Sequence, residues 1–419
     1  MNITKPRGTN DIFGLDLDNF NHVVNILKII AKFYNYSEII TPMFEHKELF
    51  IRNIGETSDI VTKEFYDFKD KGNREIVLRP EGTVSVIRSV IENKMLSKMP
   101  LPLKLYYIGP MFRYERPQNG RSRQFHQFGI ENIGIKNVYN QIEILLMSKM
   151  VLDLLKIKNY KLKINYIGTF DTRKKWMDDL KNYFTKHIDE LSDDSKNRVI
   201  KNPLRIFDDK VDSKKNVVKN APKIDKYLTD EEKNEIDFIK HSLDVLHIEY
   251  EFDSTMVRGL DYYFGLVFEY ISTSKELSEN TIIGGGRYSK LVGELGGQDT
   301  DCMGFALGIE RLVAAYVAEN QNVSSKQLDI YIASFGNTKL NTLNLSDALR
   351  KSGFSVDSNL SLDKLDKHFK YASKLNPKKI LIFGDKEKDA GIILIKDQDT
   401  KKEISIKITE LINYLKDNL

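Results

Sequence analysis

A single cysteine, Cys302, stands in 419 residues, which leaves no internal disulfide framework and no cysteine-based zinc site and points to a reducing compartment, the cytoplasm. Charge of one sign is equally short. With 64 basic residues against 60 acidic ones, for a net charge of +4, any footprint for nucleic acid has to be local. No window approaches the roughly 18 unbroken apolar residues of a membrane span. The opening MNITKPRGTNDIFG has no apolar core of signal-peptide length, so no membrane partner is expected. The phosphate-loop pattern GxxxxGK[ST] is missing, and GGGRYS at 284–289 fails GxGxxG spacing because Ser289 takes the place of the last glycine. Close approach of backbone to a ligand is the better account of these glycines. The seven histidines form no metal constellation, and His126 falls on the packing face of its strand, so neither a catalytic zinc nor another protein-held metal is expected.

Arginine is also scarce, and it is unevenly placed. Of 16 arginines against 48 lysines, four (Arg113, Arg116, Arg121 and Arg123) fall within FRYERPQNGRSRQF, 112–125. Lysine would suffice if only charge were needed. Arginine adds a flat, rigid fork of donors that grips phosphate or carboxylate oxygens in pairs and stacks on aromatic planes. The window therefore predicts a phosphate site.

The rest of the composition is that of a globular protein. With 41% hydrophobic and 10% aromatic residues, the chain can bury more than one core, and roughly 100–200 residues per domain gives two or three domains. Residues 18–34 place Phe20, Val23, Val24, Leu27, Ile30 and Ala31 at helical spacing, followed by a short strand stopped at Pro42. LKLYYIGPMFRYE, the polar turn Pro117-Gln118-Asn119-Gly120 and RSRQFHQFGIENIG read as a long hairpin. Residues 170–248, rich in Lys, Asp and Asn, read as a helical insertion, with Trp176, Leu180, Phe184 and Ile188 at four-residue steps. Strands resume at EYEFDSTMVRGLDYYFGLVFEYIS, and MGFALGIERLVAAYVAE reads as a strand turning into a helix. The predicted core is an antiparallel sheet in an α+β domain over 1–325. After a polar linker at 319–327, alternating strands and helices predict a separate small α/β domain over 326–419.

Side chains two apart on a strand share a face. On the second hairpin strand Arg121, Arg123, Phe125, Gln127, Gly129 and Glu131 are predicted to look one way and Phe128 and Ile130 the other. A solvated strand laced with salt bridges would also carry arginines. It would have no need of phenylalanine, glutamine and glutamate in phase with them.

The unit ending at Pro42, the Arg-x-Glu…Arg-x-Arg-x-Phe hairpin and GFALGIERL at 304–312 resemble, in order, the three signature motifs of class II aminoacyl-tRNA synthetases. RGTNDIFG, LRPEGT at 78–83, RGLDYYFGLVFE at 258–269 and GGGRY at 284–288 resemble the histidyl-tRNA synthetase family within that class, and the resemblance spans essentially the whole chain.

The resemblance implies ATP-dependent activation of L-histidine to histidyl-adenylate, transfer to the terminal adenosine of tRNA(His), magnesium accompanying ATP, and a homodimer formed through the first motif. Glu81 and Thr83 would hold the ammonium and Gln127 would orient the substrate, while Glu131 and Tyr263 read the imidazole beside Tyr262 and Tyr288. A site that pairs the ring nitrogens rejects isosteres that shape alone would admit. Arg113 and Arg258 would act on the α-phosphate as the catalytic pair, Arg121 and Arg123 would sit toward the outer phosphates, and adenine would lie between Phe125 and Arg311. Arg116, Gln118 and Asn119 would meet the tRNA acceptor end, and the C-terminal domain resembles an anticodon-binding domain. A related non-catalytic paralogue serves ATP phosphoribosyltransferase as a regulatory subunit. It generally lacks the adenylate-forming arginines and the C-terminal domain, both of which this chain has.

Overall fold

The computed structural model describes residues 3–54, 59–117, 120–135, 137–209, 211–260, 262–275, 277, 281–320, 322–323 and 327–419. The chain divides into two compact units, Met1–Val323 and Ser324–Leu419.

The first unit is built on an eight-stranded sheet. Its strands are β1 (Ser37–Glu38), β5 (Leu103–Phe112), β6 (Gln124–Ile133), β7 (Tyr160–Tyr166), β8 (Glu251–Phe252), β9 (Tyr263–Ser272), β10 (Thr281–Tyr288) and β11 (Cys302–Gly308). In space they run β1-β5-β6-β11-β10-β9-β7-β8. The six central strands are antiparallel, as the sequence predicts. The two edge pairs, β1 with β5 and β7 with β8, are parallel, which makes the sheet mixed. A small antiparallel sheet of β2 (Phe44–His46), β4 (Glu75–Leu78) and β3 (Asp67–Lys69) stands beside it.

The predicted hairpin forms between β5 and β6, in register from Leu103 opposite Ile133 to Phe112 opposite Gln124. Its strands are shorter than the sequence pattern implies, so all four arginines, Arg113, Arg116, Arg121 and Arg123, fall outside them, in the loop segments at its end. Alternation holds on β6: Phe128 and Ile130 enter the core shared with the Gly14–Phe33 helix, whose buried stripe is Val23, Leu27, Ile30 and Ala31. Between β7 and β8 the chain is helical, with main helices Phe170–Lys186, Asp193–Lys201 and Asp230–Val245. Trp176, Leu180 and Phe184 form the buried stripe of the first, as their spacing requires, whereas Ile188 lies past its end in a short turn. Thr229 and Glu232 close a reciprocal capping box at the start of Asp230–Val245. At the other end of the unit β11 runs directly into the helix Ile309–Glu319.

The second unit carries β12 (Ile330–Ser334), β13 (Val356–Asp357), β14 (Lys379–Phe383), β15 (Ile392–Asp397) and β16 (Glu403–Lys407), in the order β13-β12-β14-β15-β16. β12 is parallel to both neighbours, and the last two strands are antiparallel additions. Every residue of β12 and β14 is buried, because helices cover this sheet on its faces.

Candidate active site

One face of the eight-stranded sheet floors a cavity of about 640 Å³. Its lining comes from segments far apart in sequence: Glu81 and Thr83 after β4, Arg113 and Arg121 from the hairpin loop, Phe125, Gln127 and Glu131 on β6, Arg258, Tyr262 and Tyr263 before and on β9, Tyr288 on β10, and Arg311 after β11. The strand alternation that sends Phe128 and Ile130 into the core brings Phe125, Gln127 and Glu131 to this face.

The carboxylate end of the cavity is buried. Glu81 sits at the start of the Thr83–Glu92 helix, where its two oxygens accept from the backbone N–H of Thr83 and of Val84, each at 2.8 Å. Burial raises its pKa, while these bonds and the nearby Arg113 pull the other way. Glu131 is 2% exposed and accepts a short hydrogen bond from Tyr288 Oη. Burial pushes its carboxyl up to about 8, against the lowering effect of Tyr288. Tyr262 packs against Tyr263 and edge-on to Tyr288, with ring centroids 4.7 and 5.6 Å apart. Burial raises all three phenols, which keeps them protonated as donors at neutral pH.

The other end is cationic. Arg113 donates through Nε to Pro80 O at 2.9 Å, and its guanidinium lies 5.3 Å from the centre of the Phe125 ring. Arg311 is fixed by Gly120 O at 2.8 Å and Thr281 O at 2.7 Å. Burial lowers its pKa, and the charges of Arg121 and Arg113 depress it further. Three arginines that repel one another around a cavity make a site that an anion stabilises. Arg258 pairs with Glu269. Room for it comes from Gly284, where a Cβ would stand 2.5 Å from Arg258 Nη2. Gly284 also lines the cavity, so the glycine run of β10 accommodates the Arg258 guanidinium as well as leaving backbone open to the cavity.

Not every expected residue lines the cavity. Arg123 turns away: its guanidinium stacks 3.8 Å above the Tyr114 ring, Nε donates to Glu115 O, and its backbone N–H donates to Gly8 O. Arg123 does not share the face of Phe125 because β6 begins only at Gln124. Arg116 is exposed in the loop, and Gln118 and Asn119 lie outside the described residues. Conversely, Arg205 lines the cavity although nothing local in the sequence marks it, and Asn10 lines it from the RGTNDIFG segment, which carried no site assignment. Arg205 comes from the helical segment and donates to Gly259 O beside Arg258. His126 is held by Glu310 at 2.8 Å and by the edge of Phe20, a structural arrangement. Among the described residues no group of three or more His, Cys, Asp or Glu could hold a metal ion, and no helix is long and apolar enough to cross a membrane.

A sheet with six antiparallel central strands carrying an arginine-bearing hairpin loop, with buried carboxylates beside it and a strand that turns into an arginine-bearing helix, is the arrangement of class II aminoacyl-tRNA synthetases. Within that class, residues 8–312 match the family model for histidyl-tRNA synthetase and residues 329–418 the model for an anticodon-binding domain. The histidine–tRNA ligase of Malacoplasma penetrans is 56% identical over 420 residues, covering 100% of this chain and 99% of the relative. That of Lactiplantibacillus plantarum is 43% identical, covering 98% of each. The apo histidyl-tRNA synthetase of S. aureus superposes with a TM-score of 0.84 at 36% identity over 99% of this chain and 100% of that one. A Bacillus halodurans protein described as an ATP phosphoribosyltransferase regulatory subunit/histidyl-tRNA synthetase shares the fold at 20% identity and a TM-score of 0.66 over 91% of this chain and 98% of its own. The chain belongs to the histidyl-tRNA synthetase family.

Proposed function

We propose that the protein acts as a histidine–tRNA ligase: it joins L-histidine and ATP into histidyl-adenylate and pyrophosphate, then passes the histidyl group to the 3′-hydroxyl of the terminal adenosine of tRNA(His). The observation that carries this reading is the shared cavity, in which Arg113, Arg258 and Arg311 meet Glu81, Gln127 and Glu131. In the first step a carboxylate oxygen of histidine attacks the α-phosphorus, a new O–P bond forms, and the bond to the β-phosphate oxygen breaks. Charge grows on the nonbridging oxygens, and fixed guanidinium groups stabilise it without reorganising. Arg113 and Arg258 take that role. Arg121 stands toward the outer phosphates, and Phe125 and Arg311 flank the adenine.

Glu81 and Thr83 receive the ammonium. Glu131, with Tyr263, Tyr262 and Tyr288 around it, reads the imidazole. Arg123 shapes the hairpin loop through Tyr114 and Gly8 and leaves the phosphates to Arg121 and Arg113. Magnesium enters with ATP as part of the substrate. In the second step the 3′-hydroxyl attacks the adenylate carbonyl and AMP departs. Arg116, Gln118 and Asn119 meet the acceptor end, and the Ser324–Leu419 unit reads the anticodon. A homodimer fits the exposed apolar side chains next to the first motif: Phe33 at 67%, Ile40 at 84%, Met43 at 51% and Phe44 at 59%. The place of action we propose is the cytoplasm. The test is ATP–pyrophosphate exchange with each of the twenty amino acids: exchange with histidine alone is expected, and exchange driven by another amino acid in its place would overturn the reading.

A further inference from the structure

Gln127 is the one amide among the side chains expected to meet the amino acid's head, and a primary amide has two unlike ends. Which end meets the substrate decides whether it attracts or repels a carboxylate. Tyr107 and the Gly82 N–H fix that choice together. Tyr107 lies on β5, opposite Gly129 of β6, and its ring is wedged between two glycines: a Cβ at Gly129 would stand 2.3 Å from its Cζ and Oη, and one at Gly82 only 2.2 Å from Cε2. No larger residue fits at either place without displacing the ring. So held, the Tyr107 hydroxyl donates to Gln127 Oε1 at 3.2 Å, and the backbone N–H of Gly82 donates to the same oxygen at 3.2 Å.

An amide oxygen has two lone pairs, and both are taken by these donors. Turning the amide over would set an NH2 group against the Gly82 N–H, which can only donate, so the reversed orientation loses that bond, adds a donor–donor clash and forces the Tyr107 hydroxyl to turn from donor to acceptor. Burial raises the Tyr107 phenol well above its ordinary pKa, so the donor persists at working pH. The Nε2 end of Gln127, which makes no hydrogen bond within the described residues, is left for whatever enters the cavity that Gln127 lines.

We propose that Tyr107 is a positioning residue that, with the Gly82 N–H, locks the polarity and position of Gln127, so that Nε2 donates to a carboxylate oxygen of the amino acid in adenylate formation and to the carbonyl oxygen as it gains charge during transfer. This rests on the ligase reading but not on the identity of the side chain, since every α-amino acid presents the same carboxylate. The test is a double-mutant cycle of Tyr107→Phe and Gln127→Ala in pyrophosphate exchange, run with whichever amino acid the wild type activates. It is paired with ligand-free crystal structures of wild type and Tyr107→Phe. Phenylalanine keeps the wedge, so the thermal midpoint should hold. Exchange should fall about tenfold in the wild-type background, the worth of one buried hydrogen bond, with no further fall in the Gln127→Ala background. The Gln127 amide should also leave its wild-type position in the Tyr107→Phe crystals. Equal losses in both backgrounds, or no loss together with an unmoved amide, would overturn the proposal.

Discussion

The buried carboxyl of Glu131 makes histidine capture depend on pH, and Glu131→Gln exposes that dependence. Burial places this carboxyl near pH 8, against an ordinary value of 4.5. In the ligand-free cavity at pH 7 it therefore carries a proton, while the incoming imidazole, with an ordinary pKa of about 6.5, is neutral. The complex holds that single proton between carboxylate and ring, so binding neither takes up nor releases a proton from about pH 6.5 to pH 8. Above pH 8 the empty site must regain a proton to bind, and the KM for histidine should rise about tenfold per pH unit. Glutamine cannot supply that proton. The charge-assisted bond it forfeits is worth about 1.5–3 kcal/mol, or roughly 10- to 150-fold in KM. The α-amino group of histidine titrates alike with both proteins, so the ratio of their KM values isolates Glu131. That ratio should be flat between pH 6.5 and 8 and shrink about tenfold by pH 9. A ratio near one, or one unchanged to pH 9, would refute the reasoning.

The same group sets a stability slope of unusual sign. Because the folded-state pKa lies above the unfolded one for an acid, the unfolded chain loses its proton first. Stability should therefore fall as pH rises from 4.5 toward 8, with the cost complete above 8. The span from 4.5 to about 8 corresponds to about 5 kcal/mol. Ligand-free Glu131→Gln should therefore melt higher than wild type at pH 8 and level with it at pH 4.5. The opposite order at pH 8 would contradict the burial argument.

Further outcomes concern other parts of the molecule. Arg258→Gln, which keeps a donor for Glu269, should lower pyrophosphate exchange about 10²- to 10³-fold, the usual worth of a fixed donor to a charged transition state; a loss below tenfold would remove Arg258 from the chemistry. Gly129→Ala sets a methyl group 2.3 Å from the Tyr107 ring and should cost about 1–3 kcal/mol or more in chemical denaturation, so an unchanged midpoint would show that the ring can yield. Ending the chain at Val323, the boundary of the first compact unit, should spare adenylate formation and abolish most tRNA charging, and equal loss of both would assign the second unit a structural role. Replacing exposed Phe33 and Ile40 with aspartate should convert a dimer to monomers in sedimentation, whereas an unchanged sedimentation coefficient would place the interface elsewhere.

What the sequence disclosed was whatever repeats at short range. Trp176, Leu180 and Phe184 announce a helix face because 3.6-residue periodicity survives in any context, and the β5–β6 pairing is legible because alternation and a polar turn lie within 31 residues of chain, 103–133. The arginine cluster pointed to phosphate because guanidinium chemistry is local to the residue. Where strands end is less visible: the sequence pattern carried the hairpin strands through Arg113 and Arg123, but pairing stops at Phe112 and Gln124, so Arg123 escapes the face assigned to it. Arg205 and Tyr107 carried no site signal, since each acts through a partner more than 15 residues away. The glycines of β10 were visible as a demand for space. What fills that space at Gly284, the Arg258 guanidinium, is a tertiary fact.

Separated arginines are expected to converge on one nucleotide while Glu131 takes the ring of the adjoining amino acid. A crystal structure of the protein with a non-hydrolysable histidyl-adenylate analogue tests it directly. The phosphate analogue is expected within hydrogen-bond distance of Arg113 and Arg258, the adenine between Phe125 and Arg311, and an imidazole nitrogen on Glu131. An analogue bound with its ring away from Glu131, or with its phosphate out of reach of both arginines, would contradict it.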